Sequence, residues 1–337
     1  MSRWADQAIW LAAFGYFATY VPYSALTKAL TGGHLSAPGD VPLTGLGLLP
    51  VTAIATTVTM FVVISLLGWW KHASRSRIAG IDLPTPTRWT FLSGLSTALI
   101  IGTTTLAYTF EGVSIVLAMV LMRGGVLVIA PIVDRISKRK VRWFSWAGLA
   151  CAFAALLVSL ADSHSYVIPW LCAADIAVYL ASYFVRLRFM SHLAKSDDPS
   201  VNKGFLVEEQ IVSGPALVAL LALAALLGGA ATEPLRIGFT DYWLRSELPH
   251  MLLIGAFSYG TGIFGALIFL DKRENTFCVP VNRSSSILAG VVASFTLVAW
   301  LGSRPPSATQ LVSAAIIIGA VAFLTIPPML EKRRARA

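Results

Sequence analysis

The chain has 337 residues, of which 56% are apolar and 13% charged, and its formal net charge is +9 at pH 7. Several apolar runs approach or exceed the roughly 20 residues that cross a hydrocarbon core, and the amphipathic stripes of a soluble domain are missing, so a water-soluble fold is excluded. The basic residues lie in short connections between apolar runs, which excludes nucleic acid as the partner implied by the positive charge.

The predicted architecture is all-α and polytopic, because backbone polar groups at membrane depth must be satisfied within their own helix. Ten spans are predicted, at about 8–28, 46–70, 89–110, 113–133, 144–161, 166–189, 205–228, 249–270, 277–301 and 309–329. The start, Met1-Ser-Arg-Trp-Ala-Asp6, lacks a signal-peptide cleavage site and runs into a full-length span, so the first span is expected to be retained. The 31–40 connection is turn-forming and solvated. Trp69, Trp70, Trp143 and Trp170 suit interfacial anchors. The 229–248 connection mixes acids and arginines and is expected as a short piece lying on the headgroups. The tail after Glu331 is basic and suits a topology anchor near anionic membrane lipid. Twenty of the 26 lysines and arginines fall on one side if both termini are cytoplasmic, and four, Lys28, Arg236, Arg245 and Arg304, on the other. That bias places both termini inside.

The remaining two are Arg123 and Arg283, each within a predicted span. A shift of 160 residues superposes Leu121-Met-Arg-Gly-Gly125 on Val281-Asn-Arg-Ser-Ser285. The same shift brings Trp10-Leu11 onto Trp170-Leu171, Tyr23 onto Tyr183, Leu66-Leu-Gly68 onto Leu226-Leu-Gly228, and Gly102 onto Gly262. Five spans separate the copies, an odd number, so the halves 1–164 and 165–337 run through the membrane in opposite senses. Inverted repeats of this kind put a shared site near the midplane at the repeat interface.

An intramembrane guanidinium costs roughly 2.5–3.5 kcal/mol on insertion scales, so each arginine needs a partner or a watery cavity. One reading has both converge on a phosphate or carboxylate through bidentate hydrogen bonds. The other locks each to an acid, and an acid does precede each by twelve positions: Glu111 before Arg123 and Asp271 before Arg283. Asn282 and Ser284 flank the second arginine. Tyr23, Tyr108, Tyr179 and Tyr183 are candidates to line the cavity, although tyrosines near span ends also serve as interfacial anchors. Asp175, mid-span, is either a counter-charge or a proton carrier. Glu208, with Glu209, is either a coupling acid or part of a solvated helix start.

Gly94, Ala98 and Gly102, then Gly148 and Ala152, then Ala315 and Gly319 recur at four-residue spacing, which suits close helix packing, including at a homodimer contact. Cys151, Cys172 and Cys278 show no CxxC spacing and read as free thiols. The sequence holds no P-loop, HExxH or GxSxG, so no cofactor, metal or catalytic motif is implied.

Several local motifs resemble the drug/metabolite transporter superfamily. Phe14-Gly15 with Lys28 looks like its opening span. The turn at Glu111-Gly112, the run through Arg123 and Pro131, a basic loop and Trp146-Ala-Gly148 look like its third-to-fifth-span block. Leu121-Met-Arg-Gly-Gly125 and Leu156-Leu-Val-Ser-Leu-Ala-Asp162 are similar to its EamA-like and nucleotide-sugar-transporter-like branch. Val279-Pro-Val-Asn-Arg283 resembles a Gly-x-x-Asn-Lys element of GDP-sugar carriers, with the glycine absent and Arg in place of Lys. The resemblance implies a secondary transporter in the cell (inner, cytoplasmic) membrane that moves a small metabolite, an anion if the arginines bind it, by alternating access. The alternatives are an exporter of a cationic or amphipathic amine with Asp175 and Glu208 as counter-charges, an integral membrane enzyme acting on lipid-linked intermediates, and a membrane scaffold.

Overall fold

A computed structural model describes residues 3–35, 43–78, 80–107, 115–160, 168–196, 198–302 and 305–334. Among them are eleven α-helices. They are α1 (Arg3–Thr31), α2 (Gly45–Leu66), α3 (Arg88–Leu106), α4 (Ile115–Ile136), α5 (Trp143–Leu160), α6 (Trp170–Leu193), α7 (Pro199–Leu227), α8 (Glu233–Phe239), α9 (Leu248–Leu270), α10 (Asn275–Leu301) and α11 (Ala308–Arg334). All but the seven-residue α8 have 18 residues or more. Seven are long and apolar enough to span by length and composition: α2, α5, α6, α7, α9, α10 and α11. The chain is therefore a multi-pass α-helical membrane protein. Ten spans were expected; α1, α3 and α4 do not stand among the seven.

The helices carry their own solutions to an apolar solvent. Thr52, Thr97 and Thr104 return their hydroxyls to the carbonyls of Leu48, Ser93 and Ile100, each four residues back, so these donors are satisfied within their own helices. Starts and stops follow capping chemistry. Thr44 accepts from the Gly47 amide at 3.1 Å to open α2, and Asp198 with Pro199 opens α7. Leu11, Phe14, Leu66, Trp170 and Leu226 are largely exposed; in a bilayer these outward faces meet lipid instead of water.

Helix pairing is the skeleton of the fold. α1 packs on α9 and α10, α6 packs on α3 and α4, α2 packs on α9 and α7, α3 packs on α7, and α5 packs on α11. The main apolar core runs through α1, α4, α5, α6, α9 and α10. The small-residue faces turn inward. A Cβ at Gly94 would meet Val212 at 2.6 Å and one at Gly148 would meet Leu324 at 2.6 Å, so these positions let α3 close on α7 and α5 on α11. Gly102 and Gly319 face open space.

Two stretches depart from the sequence reading. The connection after α2 folds into an antiparallel hairpin, β1 (Arg75–Ile78) with β2 (Ile81–Pro84), in a chain expected to be all helix. Gly80, at φ +85°, makes the turn possible. The 229–248 connection does not simply lie on headgroups. Leu235 and Tyr242 are buried, α8 packs on α2, and the Thr44 amide donates to the Tyr242 hydroxyl at 3.3 Å.

Candidate functional site

The stretch Asn282-Arg-Ser-Ser-Ser286 is buried in the first half of α10. Arg283 lies eight residues past the helix start, roughly 12 Å along the axis at 1.5 Å per residue. Its guanidinium donates to the Tyr179 hydroxyl at 3.4 Å, and its Cζ stands 5.3 Å from the centre of the Tyr183 ring. Tyr179 and Tyr183 are one turn apart on α6, their rings 4.9 Å apart and tilted by 57°. Arg283 is only 6% exposed, and its Nε has no hydrogen-bond partner among the described residues.

Arg123, half-buried on α4, reaches the same place from another helix. The charges of Arg123 and Arg283 both act on Tyr16 of α1 and on Tyr179 of α6. Close helix packing makes this approach possible. A Cβ on Gly125 would meet Leu180 at 2.5 Å, so the glycine lets α4 close on α6 one residue from Tyr179. Gly265 of α9 borders both Tyr16 and Asn282: its added Cβ would lie 3.2 Å from the first and 3.4 Å from the second.

The acids do not sit where the spacing placed them. Asp271 turns to Arg273, at 3.7 Å, and not to Arg283. Glu111 lies outside the described residues, as does Tyr108. Among the described residues no ion pair of Arg283 occurs. Asp175, one turn before Tyr179 on α6, is buried, and neither carboxylate oxygen has a hydrogen-bond partner among the described residues. Ser284 is buried with its hydroxyl in the same condition. Unmatched polar groups of this kind are expensive in an apolar interior; Ser284 adjoins Arg283 in sequence, and Asp175 lies one turn before Tyr179.

Glu208 and Glu209 correct the picture of a solvated helix start, for both are buried inside α7. Glu208 accepts from the backbone amides of Ser74 and Thr87 and from the Thr90 hydroxyl at 2.7 Å, which ties the hairpin connection and the start of α3 to α7. Glu209 accepts two bonds from Arg186, at 2.8 and 3.0 Å, and two more from Ser93 and Thr97. Tyr23 is half-buried and packs with the cluster around Leu30 and Tyr242. A ladder on α1 links it to the site: Tyr16 stacks on Tyr20 at 5.6 Å, and Tyr20 meets Tyr23 edge-on at 5.7 Å. Tyr16 and Tyr20 were not singled out from the sequence, although the i, i+4, i+7 spacing of Tyr16, Tyr20 and Tyr23 marks one helix face.

A polar clamp at the basic end of the bundle was also missed. Asp134 of α4 accepts from the backbone amides of Asn275 and Thr276, at 2.8 and 2.7 Å, and from both of their side chains. It thus caps α10 from a neighbouring helix. Glu274 takes two bonds from the Arg142 guanidinium, a longer one from the Arg142 amide, and one from Ser145. Burial works to raise the Glu274 carboxyl, but the Arg142 and Ser145 bonds outweigh it and hold the group below the ordinary carboxylate range. Arg139 donates to the carbonyls of Lys272 and Ser191, and Lys195 donates to the carbonyl of Arg273. The clamp binds the ends of α4 and α6 to the starts of α5 and α10. The sequence carried one signal of it, an acid at 134 just after Pro131 near the end of an apolar run.

No protein-family model matches the chain, and no curated protein does. Solved structures do match. One, described only as the crystal structure of a protein, is similar over 98% of this chain and 99% of its own, with a TM-score of 0.58 and 16% sequence identity. At that identity the likeness is one of fold alone. Among the described residues no group of three or more His, Cys, Asp or Glu side chains is placed to hold a metal ion.

Proposed function

We propose that this protein is a secondary transporter that carries a small anionic metabolite, phosphorylated, nucleotide-linked or carboxylate, between two inverted five-helix halves, as in the drug/metabolite transporter superfamily that its motifs resemble. The single observation that carries the reading is the buried pairing of Arg283 with Tyr179 and Tyr183, with the charge of Arg123 also acting on Tyr179 and no acid paired to Arg283 among the described residues. A buried guanidinium beside aromatic hydroxyls, with a second cation acting on the same tyrosine, suits an anion, because guanidinium forks match phosphate and carboxylate. Ten spans in two repeats agree with the helix pairing. Exchange α1 with α6, α2 with α7, α3 with α9, α4 with α10 and α5 with α11, and the principal contacts map onto each other. α1 on α9 becomes α6 on α3, α1 on α10 becomes α6 on α4, and α2 on α9 becomes α7 on α3.

Asp175 supports a coupling role. A buried carboxyl with neither oxygen bonded is most stable when protonated or when a cation sits beside it. The first condition suits a proton carrier, and the second favours the alternative, a cationic amine as substrate. The test is counterflow in liposomes that contain the purified protein, with radiolabelled phosphate, a nucleoside monophosphate, a dicarboxylate and an aliphatic amine as separate probes. Anion counterflow lost in Arg123→Ala and Arg283→Ala supports the proposal. Amine counterflow that persists in both variants and disappears in Asp175→Asn overturns it in favour of the amine reading.

A further inference from the structure

A second site lies on the outer face of the bundle, away from the paired arginines. α4 and α5 leave between them a groove of about 510 Å³. Its walls are apolar: Leu127, Val128, Pro131 and Ile132 from α4, with Trp146 and Leu149 from α5. Val128, Ile132 and Trp146 are each about half exposed, so the groove opens sideways, toward the bilayer. At one end the lining changes character, and Arg135 and Arg139 close it. Arg135 is exposed, and no ion pair of it occurs among the described residues. Arg139 spends two donors on the Lys272 and Ser191 carbonyls and keeps others, since a guanidinium has five. Lys138 and Lys140, both exposed, add charge to the same connection.

We propose that this groove binds one anionic phospholipid, with the headgroup phosphate on Arg135 and Arg139 and an acyl chain along the apolar wall. Charge complementarity selects the occupant. A zwitterionic lipid would fill the apolar part equally well but would gain less from a cluster of cations, and a second copy of this positively charged chain would bring like charge to the same place. Basic pockets between membrane helices recognise anionic headgroups on the cytoplasmic side, the side to which the lysine and arginine bias assigns this connection. Trp146 at the mouth is suited to the headgroup boundary. The consequence reaches the clamp. Arg139 holds the ends of α6 and α9, so a phosphate on its free donors fixes the same guanidinium that bonds Ser191 and Lys272. The proposal stands independently of the transport reading.

The experiment is native mass spectrometry of the full-length protein in detergent, incubated with dioleoyl phosphatidylglycerol or dioleoyl phosphatidylcholine, with thermal unfolding measured alongside. The phosphatidylglycerol adduct is expected to exceed the phosphatidylcholine adduct by roughly tenfold, and phosphatidylglycerol is expected to raise the unfolding temperature. Arg135→Ala, at an exposed position, should fold normally and lose most of the preference. Ile132→Trp, which fills the groove, should lose the bound lipid of either kind. Equal retention of both lipids by the wild type, or an unchanged preference in Arg135→Ala and Ile132→Trp, overturns the proposal. So does equal stabilisation by inorganic phosphate alone, which would make the site a headgroup pocket without a chain. A lipid-independent dimer in the wild type that Ile132→Trp dissociates would overturn it by assigning the groove to a second copy.

Discussion

Arg283→Ala separates an anion site from a structural ion pair. The substitution deletes one hydrogen bond, long at 3.4 Å and worth no more than about 1 kcal/mol, and one cation–ring contact to Tyr183, worth ~0.5–2 kcal/mol. It also relieves the burial of a cation, which costs about 2.5–3.5 kcal/mol at mid-membrane. The losses and the relief are of similar size, so the ligand-free protein is expected to keep its stability within about 1–2 kcal/mol. Binding is another matter. Truncating one partner of a desolvated charge pair costs about 2–5 kcal/mol, which is about 30-fold or more in Kd at roughly 1.4 kcal/mol per decade. Arg283→Lys keeps the charge, loses the fork, and should fall between. The assay is thermal unfolding in detergent, without ligand and with inorganic phosphate, a nucleoside diphosphate or a dicarboxylate, followed by calorimetric titration of whichever anion stabilises the wild type. Collapse of the ligand-free Arg283→Ala protein would refute the reasoning, because it would reveal a stranded carboxylate. Unchanged anion affinity in that variant would refute it equally.

Four further outcomes are expected. Asp175→Asn should leave melting unchanged or raised, since it removes a carboxyl with no hydrogen-bond partner among the described residues, and should abolish pH-driven accumulation while sparing counterflow; loss of both activities in liposomes would assign Asp175 to structure. Glu208→Gln should behave in the opposite way, lowering the melting temperature without altering pH coupling, because Glu208 anchors two backbone amides and a hydroxyl. Arg186→Ala should cost about 3–5 kcal/mol by leaving Glu209 buried without its cation, and Arg186→Met with Glu209→Leu together should cost less than either single change in denaturant unfolding. The stabilisation that Glu274 draws from Arg142 and Ser145 is fully present above the ordinary glutamate value near 4.3. It is lost as pH falls through the lower folded-state value, so the melting difference between wild type and Glu274→Gln should shrink on acidification and not on alkalinisation.

The sequence alone determined the class of protein and the rough limits of its long helices, and it placed Arg123 and Arg283 within apolar runs. Long apolar runs, hydroxyl residues able to bond their own helix, and short basic connections are local properties, and a bilayer leaves a chain few ways to satisfy its backbone. The correspondence of Arg123 and Arg283 is a pattern in the sequence, where the 160-residue shift aligns rare residues and not only leucines and alanines. What only the tertiary structure decided is which polar groups meet. Asp271 stood at a suggestive spacing and Glu208 near a helix start, yet the first turned to Arg273 and the second to the amides of Ser74 and Thr87. Asp134 drew no attention, yet it caps α10 from a helix some 140 residues away in sequence. Partner choice across helices depends on rotation and depth, and one residue of register turns a side chain about 100° around a helix of 3.6 residues per turn. Hydropathy cannot resolve a difference of that size. Packing resolves it, at contacts such as Gly125 against Leu180, where the absence of a single Cβ sets how closely α4 approaches the tyrosines of α6.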